Sequence, residues 1–213
     1  MFKNLLLKSL WILLLLSFQN AFSCADVSLP TPLKKSEMRV FEALQNRSSN
    51  SGGDFSISDM TLEQLSDILW AASGLNRGTK GWTVPSINGL SPYVRIYLAN
   101  NDGAFIYNWS DHSLKEISKQ NIKSKIGLQS FVRRVPQVLI FVMDLNHLSS
   151  FDKEQAREFG HVQVGAMTQN VYLAAAALRL GARYIHSINK EEIVKALSLT
   201  ENQEPVCIML LGK

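Results

Sequence analysis

Residues 83–92, Thr-Val-Pro-Ser-Ile-Asn-Gly-Leu-Ser-Pro, place two prolines, a glycine, an asparagine and two serines between a helical pattern and an alternating one. Two readings are open for such a run: an ordinary turn, or a backbone loop built to touch a flat, polar ligand. The second chemistry needs what the run holds. Short polar side chains and open backbone amides supply donors and acceptors without crowding a ring. Pro85 fixes the backbone, so little order has to be created on binding. Gly89 permits close approach or an unusual dihedral. Other chemistries lack their residues. Cys24 and Cys207 are the two cysteines, and no Cys-x-x-Cys spacing exists. His112, His147, His161 and His186 are scattered and read as surface or capped histidines, not as zinc ligands. No Ser-His-Asp set is expected, and no general acid or base can be named.

The elements around this run follow from periodicity. Met38, Phe41 and Leu44 stand at helical spacing and predict a first helix. Residues 47–56 form a polar, glycine-bearing loop. Thr61 and Gln64 have capping-box spacing, and Met60 with Leu65 fits the hydrophobic staple. Leu62, Leu65, Ile68 and Leu69 continue as an apolar stripe up to Gly74. Residues 93–99 alternate as a strand, Asn100–Gly103 is a hairpin turn signal, and 104–109 is the partner strand. Residues 137–144, Gln-Val-Leu-Ile-Phe-Val-Met-Asp, predict a central strand buried on both faces. A long helix is expected over 154–180, with Gly181 as its C-terminal cap and four consecutive alanines where another backbone can come close. Residues 190–197 predict a short amphipathic helix and 204–213 a last strand, in whose apolar run Cys207 reads as a small buried hydrophobe. The sum is an α+β domain: a small, mostly antiparallel central sheet flanked by helices.

The chain has 213 residues, 46% of them hydrophobic, enough for one domain with a sizeable core. Its first 24 residues are set apart. Lys3 and Lys8 precede an apolar run from Leu10 to Phe18, and a small-residue end follows. This order predicts a secretory signal, and the run is short for a membrane span. Two cleavage modes stay open: lipoprotein processing with Cys24 lipidated, or ordinary cleavage near Ala25. Mature protein is expected to lack the first 23 to 25 residues. Residues 25–36 read as a Pro-containing linker and 37–213 as the domain. Loss of Lys3 and Lys8 lowers the formal charge from +4 to +2, which argues against a nucleic-acid partner.

Residues 65–77 (Leu-Ser-Asp-Ile-Leu-Trp-Ala-Ala-Ser-Gly-Leu-Asn-Arg), then 83–92, a hairpin, a buried strand, and 168–181 (Thr-Gln-Asn-Val-Tyr-Leu-Ala-Ala-Ala-Ala-Leu-Arg-Leu-Gly) form an ordered set. That set resembles the FMN-dependent nitroreductase family, in its short, single-domain branch, over residues 38–213. The resemblance implies a homodimer with FMN at the subunit interface. It places Arg47-Ser48-Ser49-Asn50-Ser51 where the family carries Arg-x-Ser-x-Arg/Lys on the ribityl phosphate. Arg47 and Ser49 keep that pattern, and Ser51 stands where the second basic residue would be. A phosphate is matched by a guanidinium fork and hydroxyl or amide donors, so loss of one cation weakens the clamp. Arg183 or Lys213 could compensate. The resemblance also places Pro85, Ser86 and Asn88 against the flavin ring, and Gln169 with Asn170, early in the long helix, at the flavin edge or the dimer interface. Trp82-Thr83 departs from the family's Arg-Thr.

The implied function is an extracytoplasmic FMN-dependent oxidoreductase passing hydride or electrons between a donor and a small organic substrate, neither of which the sequence identifies. The alternative is a non-catalytic flavin- or ligand-binding protein on the same scaffold. The implied location is the periplasm or envelope, with membrane attachment if Cys24 is lipidated.

Overall fold

The computed structural model describes residues 26–52, 55 and 60–213 and, for Asn88, the backbone alone; the expected signal segment with Cys24 lies outside the described residues. Seven strands form one sheet: β1 (Val27–Ser28), β2 (Val94–Ala99), β3 (Ala104–Asn108), β4 (Ser113–Ser118), β5 (Gln137–Asp144), β6 (Gly181–Ile185) and β7 (Gln203–Gly212). Their order is β1-β4-β3-β2-β5-β7-β6, and every neighbouring pair is antiparallel. Among the described residues five helices flank it: α1 (Val40–Asn46), α2 (Leu62–Ser73), α3 (Lys123–Ile126), α4 (Lys153–Ala177) and α5 (Lys190–Leu197).

Alternation along the strands builds two cores. Ile96, Leu98, Leu139, Phe141, Met143, Met209 and Leu211 face α2 and α4. Tyr97, Ala99, Ile140, Val142, Ile208 and Leu210 face α3 and α5. β5 is therefore buried at all eight positions, as its unbroken apolar run predicts, even though its partners are antiparallel. Cys207 is a buried, free thiol pushed up to about 12 by its burial, which makes it unreactive.

Local signals hold at α2. Gln64 N donates to Thr61 Oγ1 at 3.2 Å, and Thr61 N donates to Gln64 Oε1 at 3.0 Å, closing the capping box, while Met60 and Leu65 are both buried. The end of α4 differs from expectation. The helix stops at Ala177. Arg179 N donates to Ala176 O, Leu180 N donates to Ala175 O, and Arg179 itself takes the left-handed conformation at φ 56°. Gly181 is thus not the cap but the first residue of β6. It allows a close approach there, since a Cβ would stand 3.1 Å from Asn50 Nδ2.

The stretch expected as a linker lies against the domain. β1 pairs with β4, Leu33 N donates to Asp67 Oδ1 at 2.8 Å, and Lys34 Nζ stands 5.6 Å over the Trp70 ring. His112 is central to this docking. Its backbone O accepts from Leu29 N, its Nδ1 meets Tyr107 Oη at 2.9 Å, and its Nε2 meets Ser66 Oγ at 2.7 Å. Ser66 Oγ donates to Pro30 O, so Nε2 must carry the proton and Tyr107 must donate to Nδ1. The imidazole is neutral, and burial holds it below the ordinary value of 6.5 despite Asp67 and Asp111 nearby; Lys34 pushes the same way as burial. A group depressed in the fold binds its proton more readily in the unfolded chain. Its stabilisation is full above the ordinary value and is lost as pH falls below it. The Tm is therefore expected to drop more steeply for wild type than for His112→Gln as pH falls from about 7 to about 5. Parallel Tm profiles would contradict this role.

Candidate functional site

The segment after α1 is fastened to the end of the sheet. Asn50 N donates to Ala182 O and Ala182 N to Asn50 Oδ1, both at 3.0 Å, so the segment runs beside β6 almost as another strand. Arg183 Nη1 donates to Asn50 O at 2.9 Å, while its guanidinium lies 5.4 Å from the Phe131 ring. β6 pairs with β7 so that Gly181 faces Gly212, which brings the exposed Lys213 to the same end. The segment also touches α4. Ser49 Oγ lies 2.7 Å from Tyr172 Oη, and the Arg47 guanidinium stacks 4.8 Å over the Tyr172 ring. Ser51 is exposed at the end of this segment.

Arg47 and Ser49 thus meet at Tyr172, in the core on the α2 and α4 side, while Arg183 braces the same segment from the Phe131 side of the sheet and Lys213 follows β7 at that end. Among the described residues the ion pairs are Arg95–Asp144 at 2.6 Å, Arg157–Glu204 at 2.7 Å and, when protonated, His147 beside Asp144. Arg47, Arg183 and Lys213 take part in none of these. A guanidinium held on a ring face beside a hydroxyl, with no ion pair among the described residues, suits an anion with several acceptor oxygens.

The second loop is anchored differently. Asn170 Nδ2 donates to Ala71 O at 3.1 Å and Thr83 O at 3.0 Å, and Gln163 Nε2 donates to Pro85 O at 2.9 Å. Gln163 is fully buried, and its Oε1 accepts from both Tyr93 N and Val94 N. One amide thus ties the loop, β2 and α4 together. Ser86 Oγ donates to Leu90 O, closing a 3-10 turn over Ile87–Gly89 that contains the Asn88 backbone, and Gly89 sits at φ 71°. Pro85 is exposed. Trp82 is buried and packs edge-on against Trp109 at 5.5 Å, so the position that departs from the family pattern is a core residue.

α4 separates the two loops. Asn170 and Tyr172 are two residues apart, about 200° around a helix, and hold the 83–89 loop and the 47–51 segment respectively. Gln169, which lies in the second half of α4 and not early in it, is exposed between them on the outer face. That face also carries Val162, 66% exposed, and Gly165, where a Cβ would meet nothing. A cavity of about 350 Å³ lined by Arg95, Tyr107, Trp109 and His147 includes none of the candidate residues.

The family model for nitroreductases matches residues 45–213, which contain both loops and α4. A protein of Methanocaldococcus jannaschii described as a nitroreductase is 30% identical over 188 residues, covering 83% of this chain and 92% of the relative. The chain belongs to the nitroreductase family. Among solved structures, this chain is similar to a protein from Ralstonia eutropha described as a nitroreductase, with a TM-score of 0.82, 31% identity, and coverage of 88% of this chain and 89% of that one. An NADPH:FMN oxidoreductase from Vibrio harveyi, complexed with NAD+, shares the fold at a TM-score of 0.59 and 22% identity, covering 81% of this chain and 67% of that one.

Two residues of this nitroreductase-family chain escape a reading of motifs. Tyr172 and Gln163 each bind partners about 70 residues or more away in sequence. Their only local signal is polarity on the buried side of a long helix, at positions where an alanine or valine would be the ordinary choice.

Proposed function

We propose that this nitroreductase-family protein is an FMN-dependent oxidoreductase that acts outside the cytoplasm on a small organic substrate. Family membership supports the oxidoreductase class. The observation that carries the cofactor is Arg47 and Ser49 held together at Tyr172, a cation and a hydroxyl with no ion pair among the described residues. FMN, when bound, supplies the hydride and electron chemistry itself. The chain's part is to hold it. Arg47 and Ser49 would take the phosphate, while the braced backbone around Pro85, Ser86 and Asn88 would meet the polar edge of the ring.

Because α4 lies between those two groups, we infer that they come from two copies of the chain. A homodimer is also favoured by surface that a single chain leaves bare. Phe41 on α1 is 81% exposed, with Val40 and Leu44 also exposed on the same short helix, and Val162 stands out on α4. Light scattering at micromolar concentration with FMN present is expected to give a dimer, and Phe41→Glu to shift it toward monomer. A wild-type monomer would contradict the shared site.

Export follows from the order of charges, apolar run and small residues in 1–24, and it implies a donor other than cytosolic NAD(P)H. Ser51, in place of a second cation, favours the non-catalytic alternative. The two are separated by anaerobic titration. Bleaching of bound flavin by a two-electron donor, and its return with a quinone or nitroaromatic acceptor, is expected of the oxidoreductase. A flavin that binds but accepts no electrons from any donor tried would favour the binding protein.

A further inference from the structure

The contacts of the 47–51 segment converge on one side chain. Tyr172 is 7% exposed, and its hydroxyl oxygen accepts from Tyr184 N at 2.7 Å. Its proton still needs an acceptor, and among the described residues the one in reach is Ser49 Oγ, also at 2.7 Å. The hydrogen bond therefore runs from Tyr172 to Ser49. Ser49 keeps its own proton, and the residue is exposed. The same ring carries Arg47 on its face. Both donors of the segment are thus set by one phenol: Ser49 by the direction of a hydrogen bond, Arg47 by a cation–π contact.

We propose that Tyr172 is a positioning residue that determines specificity for a phosphate ester. By committing Ser49 to donate and steadying Arg47, it makes the segment present donors and positive charge together, which a dianionic phosphate matches and an uncharged ribityl end does not. The proposal rests on reading 47–51 as the phosphate site.

The test compares FMN with riboflavin, which has no phosphate, by fluorescence titration of the dimer. Tyr172→Phe keeps the ring but removes the hydroxyl, and it is expected to weaken FMN about threefold to tenfold while leaving riboflavin unchanged. Tyr172→Leu also removes the Arg47 stack and should cost more. Ser49→Ala leaves the Tyr172–Tyr184 contact in place, so it remains informative if Tyr172→Phe folds poorly; it should lower FMN affinity similarly, and Tyr172→Phe should add nothing further in the Ser49→Ala background. Equal losses for both flavins in Tyr172→Phe, or full additivity with Ser49→Ala, would overturn the assignment. If wild type prefers FMN, and Arg47→Ala abolishes that preference while Tyr172→Phe and Ser49→Ala keep it, the phosphate site stands and the role of Tyr172 falls. A wild type with no preference for FMN over riboflavin overturns both.

Discussion

Replacing Arg47 by alanine is expected to weaken FMN binding about tenfold to a hundredfold. A charge-assisted contact to phosphate contributes on the order of 1.5 to 3 kcal/mol, and about 1.4 kcal/mol is one decade in affinity. Arg47 is half-buried, stacked on Tyr172 and in no ion pair among the described residues, so its loss leaves nothing at that position to replace it. Arg183 does not take over, because it braces the segment through Asn50 O and packs on Phe131, on the opposite face of the sheet from Tyr172. Riboflavin should bind wild type and Arg47→Ala almost equally, which separates a phosphate contact from damage to the loop. Ser51→Arg should tighten FMN without helping riboflavin. An unchanged FMN affinity in Arg47→Ala would show that the clamp is built on other residues.

Gln163→Leu is expected to be the most damaging single change outside the hydrophobic core. The substitution is close in volume and removes three hydrogen bonds at once: those from Tyr93 N and Val94 N, and the one to Pro85 O. The two buried backbone N–H groups left unpaired cost about 1 to 3 kcal/mol each, so a total loss of roughly 2 to 6 kcal/mol is expected, a large part of a domain's stability. The loop at Pro85 should also loosen, and riboflavin affinity should fall along with FMN affinity, unlike the effect of Arg47→Ala. Gln169→Leu, at an exposed position on the same helix, should stay within about 0.5 kcal/mol. Urea unfolding measures both. A loss at Gln163→Leu no larger than at Gln169→Leu would contradict the bracing role.

What could be read from the sequence was what short range decides. The capping box at Thr61 and Gln64, the apolar run of β5 and the Asn100–Gly103 turn each carry their cause within a few residues, and each is found in place. β4 was left unassigned, because of its six residues Leu114 alone is buried and the strand therefore shows little hydrophobic signal. β6 was hidden behind Gly181, which reads as a helix end when α4 has already closed on Arg179. The apolar residues of α1 predict a helix, but not that Phe41 would face outward in a single chain. The candidate site was legible as two separate loops. Their relation to α4 was not, because Tyr172 reaches Ser49 across 123 residues and Asn170 reaches Thr83 across 87, distances over which no periodicity carries information.

The most direct test of the account is the flavin itself. Protein purified without added cofactor, or reconstituted with FMN and desalted, is expected to be yellow and to release about one FMN per chain on denaturation, the stoichiometry of two shared sites in a dimer. A colourless protein that takes up neither FMN nor riboflavin, while remaining folded by its thermal transition, would contradict it.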